Sequence, residues 1–297
     1  MWQLLQIEIF KISRRPRTYI SFAAIAAIVA IFQFAFKSDG VSYMEMMLQS
    51  AEDTFELDKQ SAINGYLMCY IILNTLLVQV PVLVALIAGD SVSGEAAMGT
   101  LRLVMSKPVS RSQFIIVKFL ASFIFTLILL VWMALIALFL SLAVFGTGDM
   151  LIFRVRGEEA QIMQITEGDI LWRYCMAFAY AGVALTVIAT LSLLLSLFAE
   201  NSVGPIVATV CIVIVCTVIT NINLPAVETY IKPWIFTTYL VGWKGFFYVE
   251  TGPDGLPVKG SIENPQAILR SFLILLGHIV VFLSAAIYIF RKKDILN

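Results

Sequence analysis

Groups that do chemistry are scarce in this chain. One histidine, His278, serves 297 residues, and the four cysteines show no CxxC spacing. No HExxH motif occurs, so the usual zinc signatures are missing. No pair of aspartates falls within an apolar run, which argues against an aspartyl intramembrane protease. Charge is thin as well. Only 13% of residues are Asp, Glu, Lys or Arg, and their signs cancel to a net charge of zero. No nucleic-acid partner is expected from such a balance, nor any metal, cofactor or catalytic activity in the chain itself. Cys69, Cys175, Cys211 and Cys216 lie within or beside apolar runs and are expected to be small buried hydrophobes. His278, next to Gly277 on an apolar helix, reads as a hydrogen-bonded packing residue, although an intramembrane ionisable group is also a functional candidate.

What the chain has in quantity is apolar surface: 60% of residues are hydrophobic, and the mean hydropathy is +0.91. One soluble core could not hide this much. Six runs approach or exceed the roughly 20 residues that span a bilayer, at Tyr19–Phe36, Ile63–Ala88, Phe114–Phe145, Tyr174–Phe198, Val203–Ile219 and Ile268–Phe290. They must be helices, because lipid cannot satisfy open backbone groups. The expected fold is therefore an all-α polytopic membrane protein forming a single domain over residues 1–297. No cleavable signal peptide is expected, because four basic residues precede a long first run that lacks an A-x-A site.

Counting basic residues by alternate loops orients the chain. One side receives 11 basic and 5 acidic residues, the other 9 basic and 15 acidic. Both termini are thus expected on the cytoplasmic side of a bacterial inner membrane, with residues 146–173 and 220–267 outside. Residues 1–17 form a helix with Trp2 and a basic cluster as anchors, suited either to lipid at the membrane interface or to a packing partner. Pro16 predicts a bend before the first span.

Gly146 to Arg173 is expected to be a small ordered cap. Thr220 to Arg270 begins with an aromatic cluster, including Tyr230, Trp234, Trp243 and Phe247, that suits the membrane boundary. It continues through a turn-rich excursion around Pro253, Asp254 and Gly255. A pair of re-entrant or interfacial short helices after Asn221 would reconcile this segment with the short fifth run. Small residues recur at four-residue spacing, as in Ala23 with Ala27 and Ser192 with Ser196, which permits close packing within the chain or between copies. Asn74 and Gln79 either line a path or bond to a neighbouring helix.

Between the second and third runs lies "GDSVSGEAAMGTLRLVMSKPVSRSQFIIVK", Gly89 to Lys118. Gly94 and Gly99 have P-loop spacing, but Thr100 stands where the phosphate-reaching lysine must be. A short helix is predicted instead, with Met98, Leu101, Val104 and Met105 on one face and Arg102 elsewhere. Pro108 ends it, and Ser110 with Gln113 makes a capping box that starts the next helix at Arg111. Gly94 and Gly99 are expected to permit the bends.

This order of residues resembles the segment between the second and third spans of type-2 ABC transporter permeases. It contains Ser93, Gly94, Glu95, then Gly99, Thr100, Leu101, then Pro108, Val109, Ser110, Arg111, and finally Lys118. The six runs and the "FRKKDI" ending extend the resemblance to the whole chain. It implies a coupling helix that docks on a separate cytoplasmic ATPase subunit, with ATP and Mg²⁺ held by that partner. It also implies a homodimer or heterodimer of permeases and export of a substrate. Leu101, Val104 and Met105 would fill the partner's groove, with Arg102 and Lys107 matching its charge. Glu95 would either pair with a basic partner residue or complement the helix N-terminus. The 146–173 segment is longer than the simplest members have, suggesting an extracytoplasmic protein partner. The rival reading is a membrane assembly or signalling subunit that uses the same dock for mechanical work.

Overall fold

The computed structural model describes residues 1–48, 63–101, 109–156, 159–222, 224–252 and 257–293. Among these residues, six helices are long and apolar enough to cross a membrane, preceded by a shorter one, α1 (Trp2–Arg14). Arg15 is extended, as expected of a residue before proline, and α2 (Pro16–Leu48) leaves in a new direction. It runs well past the expected end at Phe36.

Asn64 caps α3 (Gly65–Ala88) by accepting from the Leu67 amide at 3.0 Å. After Gly89 the chain forms α4 (Asp90–Ala97). Ser110 accepts from the Gln113 amide at 3.2 Å and starts α5 (Arg111–Phe145), as the sequence predicts.

The fourth span, α6 (Glu167–Ser196), begins about two turns earlier than Tyr174. Its charged first turns are internally paired, a fact that hydropathy cannot register. It is the centre of the bundle, with 72% of its most apolar stretch buried, against 11% for α7 (Val203–Thr220) and 17% for α9 (Pro265–Lys292). Small residues explain this. Ala177, Ala181, Ala184, Ser192 and Ser196 are all buried. Ser192 donates to the Ala85 carbonyl at 3.1 Å, and Ser196 accepts from the amides of Val92 and Ser93 at 3.1 and 2.8 Å. Ala23 and Ala27, by contrast, are exposed on α2.

The peripheral helices turn large apolar side chains outward, including Phe34, Val78 and Phe139. A bilayer tolerates this and water would not. Cys175 and Cys211 share that outer surface, so only Cys69 among the cysteines is buried as expected.

The all-α expectation needs one addition. The 146–173 segment contains an antiparallel hairpin of β1 (Met150–Arg156) and β2 (Glu159–Ile165), registered Met150 to Ile165. Met150, Ile152, Met163 and Ile165 face inward. Asp149 fastens it, accepting from the Glu167 amide at 2.9 Å, while Asn64 donates to the Asp149 carbonyl at 2.5 Å.

After α7 the chain forms a π-helical turn (Val227–Ile231), a 3₁₀ turn (Lys232–Trp234), α8 (Thr237–Leu240) and a second 3₁₀ stretch (Val241–Phe247). The aromatic cluster divides here. Tyr230 and Trp234 are exposed, whereas Trp243 and Phe247 are buried. Phe247 packs on Tyr70 and Tyr174 at ring separations of 5.1 and 4.9 Å. His278, near the middle of α9, is a packing residue: Nδ1 donates to the Ile274 carbonyl at 2.8 Å, and Nε2 lies 3.4 Å from the Trp234 carbonyl. Residues 253–255, expected to form a tight turn, lie outside the described residues, and Thr251 bridges Pro257 beside them.

Candidate functional site

The end of the bundle that holds both termini concentrates the paired charge. The extended Arg15 swings α1 across α4 and α5, where Leu5 seats against Val117 and Ala121. Four elements then bring their ionic groups together. Lys118, two turns into α5, contacts Glu95 at 2.6 Å and Glu8 at 2.6 Å, and its side chain is 3% exposed. Lys11 reaches the same two carboxylates, each at 2.8 Å. Beside them Asp90 pairs with Arg15 and, at 3.1 Å, with Arg17. Burial opposes the charge on Lys11, but Glu8 and Glu95 more than offset it and its pKa is raised. The Arg15 guanidinium is shifted downward by burial and by neighbouring Arg17.

Glu95 therefore neither faces outward nor stands at a helix N-terminus. It occupies the later half of α4, where lysines of α1 and α5 neutralise it inside the chain. Both lysines use its Oε1, and Oε2 is buried without a hydrogen bond among the described residues.

Gly94 is not a bend but an interior residue of α4. A Cβ there would come within 2.5 Å of the Asp90 carboxylate, so the glycine makes room for the ion pair. Gly99 does turn the chain, at φ +68°, where L side chains are disfavoured. Thr100 follows and donates to the Glu95 carbonyl at 3.3 Å.

Leu101 is buried with Val92, Phe114, Leu197 and Phe290 rather than offered to a partner. Arg111 also turns inward, donating to the carbonyls of Arg291 and Lys293 at 3.0 and 2.6 Å. It thereby caps the C-terminus of α9, where orphan carbonyls favour a cation. Phe114 and Phe290 stack at 5.2 Å in the same place. Arg102, Val104, Met105 and Pro108 lie outside the described residues. The exposed part of the elbow is Ala97 to Thr100, with Met98 63% exposed.

Sequence reading missed the Glu8, Lys11, Arg15, Arg17 and Asp90 constellation. The available signal was an acidic or basic residue abutting each apolar run and Glu8 three positions before Lys11, which are helical neighbours.

A separate apolar groove of about 420 Å³ runs between α2, α3 and α7, lined by Ala24, Ile28, Val82, Val213 and the polar pair Gln79 and Thr209. Gln79 and Asn74 are exposed and bond to no neighbouring helix among the described residues. Apart from Gln79 and Thr209 its lining is aliphatic.

A six-helix bundle with lipid-facing apolar surfaces, capped at one end by a hairpin and braced at the other by ion pairs, defines a multi-pass membrane protein. Within that class the chain belongs to the family described as protein of unknown function DUF2705, which matches residues 20–296. Over 220 residues it is 26% identical to "Uncharacterized protein YhcI" of Bacillus subtilis (strain 168), a stretch covering 71% of this chain and 63% of that relative. The matched family region holds Asp90, Glu95 and Lys118 but begins beyond α1.

Proposed function

We propose that this chain is the membrane-spanning subunit of an ATP-driven exporter, a type-2 ABC permease acting as a homodimer or heterodimer with two cytoplasmic ATPase subunits. The observation that carries the reading is the bracing of the elbow. α4 is fastened to α1 and α5 through Glu95, to α2 and the extended Arg15 before it through Asp90, and to α6 through Ser196. A force applied at Met98 to Thr100 would reach four other helices without passing through a flexible loop. Coupling of ATPase motion to the membrane needs a lever of this kind.

The positive balance of residues at this end supports a cytoplasmic position for both termini. The approach of Trp234 to the middle of α9 supports a re-entrant path for residues 227–247. The groove beside Gln79 suits the apolar part of a lipid or amphipathic peptide cargo.

Burial of Leu101 makes it a poor probe, because a charge there would disturb the fold itself. Met98→Glu with Thr100→Glu, both at exposed positions, tests the dock instead. The wild-type chain, solubilised in detergent, is expected to co-purify with an ATPase bearing Walker motifs, and the variant to lose it at least tenfold while eluting as the same folded species. A wild-type preparation without any such ATPase would sink the proposal. An ATPase stimulated only by a protein bound to residues 146–173, and by no solute, would favour the mechanical reading.

A further inference from the structure

At the opposite end of the bundle, the first two turns of α9 and the short helical segment before it enclose two adjoining clefts of about 400 and 600 Å³. Both are lined by Asn264, Ala267 and Ser271, so they form one continuous groove. Lys244 lines the first. It is half-buried, and among the described residues its ammonium has no ion pair or hydrogen bond, only the Trp243 ring at 5.9 Å.

This is an exception. The other lysines that the described residues bury even in part have an oxygen partner: Lys11 and Lys118 on carboxylates, Lys232 on Glu228, and Lys293 on the Leu197 carbonyl. Burial lowers the Lys244 pKa. An ammonium held this way attracts an anion.

Two further groups point to the same ligand. Asn264 uses its Oδ1 to cap α9 through the Ala267 amide at 3.1 Å, and its Nδ2 donates to nothing among the described residues. Arg270, nearly two turns on in the second cleft, is exposed and without an acceptor among the described residues. Leu269, Leu273 and Val241 are exposed large apolar residues on the same elements, as expected where an acyl chain lies beside its headgroup. Glu263 lines the first cleft and already has an interaction of its own. Its charge disfavours a dianion and leaves a singly charged phosphodiester as the better fit.

We propose that this groove binds an anionic phospholipid, with Lys244 on the phosphodiester, Asn264 Nδ2 beside it and Arg270 at the far end of the headgroup. The site does not depend on the exporter reading. It is tested by native mass spectrometry of the full chain released from detergent containing phosphatidylglycerol. The wild type is expected to retain one phosphatidylglycerol, Lys244→Met to retain at least fivefold less, and Lys244→Arg to recover it. Lys259→Met, an exposed lysine nearby, should leave retention unchanged. Equal retention by wild type and Lys244→Met overturns the proposal. So does a thermal shift by inorganic phosphate that Lys244→Met abolishes while lipid retention stays equal, because that would assign the groove to a soluble anion.

Discussion

The two ends of the bundle both bury charge, yet they use it differently. At the hairpin end Arg173 is fully buried. Its Nη2 contacts Asp169 at 2.6 Å and the Ser261 carbonyl at 2.8 Å, while Nη1 contacts the Phe246 carbonyl at 2.6 Å. Asp169 also accepts from the Gly260 amide at 3.1 Å. One planar fork thus stitches α6 to two separate points of the chain before α9. At the end with the termini, two lysines share two glutamates among three helices. Lysine is a point charge on a flexible stem, whereas the guanidinium has fixed directions. The first arrangement fixes a loop, whereas in the second each ammonium touches both carboxylates, so that one contact remains if the other is lost. That difference is what the proposed exporter, with a fixed cap at one end and a driven elbow at the other, would require.

The comparison breaks most visibly at Arg173. Arg173→Lys should destabilise the chain by about 3 kcal/mol, because an ammonium cannot reach three oxygens in the guanidinium's geometry and leaves buried carbonyls unpaired. Thermal unfolding in detergent reads this. Wild-type stability in Arg173→Lys would show that the cap needs only a positive charge, and the contrast between the two ends would disappear.

A smaller effect is expected at Lys118. Lys118→Met leaves Glu95 with Lys11 alone, at a cost of about 2 kcal/mol. Adding Glu95→Gln should recover most of it, since the cost arises from the stranded carboxylate. Full additivity of the two substitutions would mean that the contact carries no coupling, and the sharing of carboxylates between the lysines would then have no energetic basis.

How much of this was legible beforehand follows from range. Six spans, the Ser110 cap and the break at Pro16 were readable because apolar runs and caps are local signals. The early start of α6 was not, because Asp169 and Arg173 look like loop residues until their partners near Gly260 and Phe246 are known. The hairpin was seen only as an ordered segment, its strands being short and mixed in polarity. The elbow's place and its glycine turn at Gly99 were visible in sequence. The inward roles of Glu95, Leu101 and Arg111 were not, since each depends on residues distant in the chain: Lys118 for Glu95, Leu197 and Phe290 for Leu101, and Lys293 for Arg111.

The smallest expected effect sharpens the comparison through pH. Lys11 has its folded pKa raised above the ordinary 10.5 by Glu8 and Glu95 against the opposing effect of burial. A base whose folded pKa lies above its unfolded one binds more protons when folded. Its stabilising contribution is therefore complete below 10.5 and is lost as pH rises through the raised folded value. Because the side chain is 38% exposed, solvent screening keeps the contribution to about 0.5 kcal/mol or less. Unfolding temperatures of wild type and Lys11→Met should accordingly differ slightly at neutral pH and converge above the raised value. A difference that persisted unchanged into strong alkali would mean that Lys11 contributes through its aliphatic stem rather than its charge, and that the shared ionic contact rests on Lys118 alone.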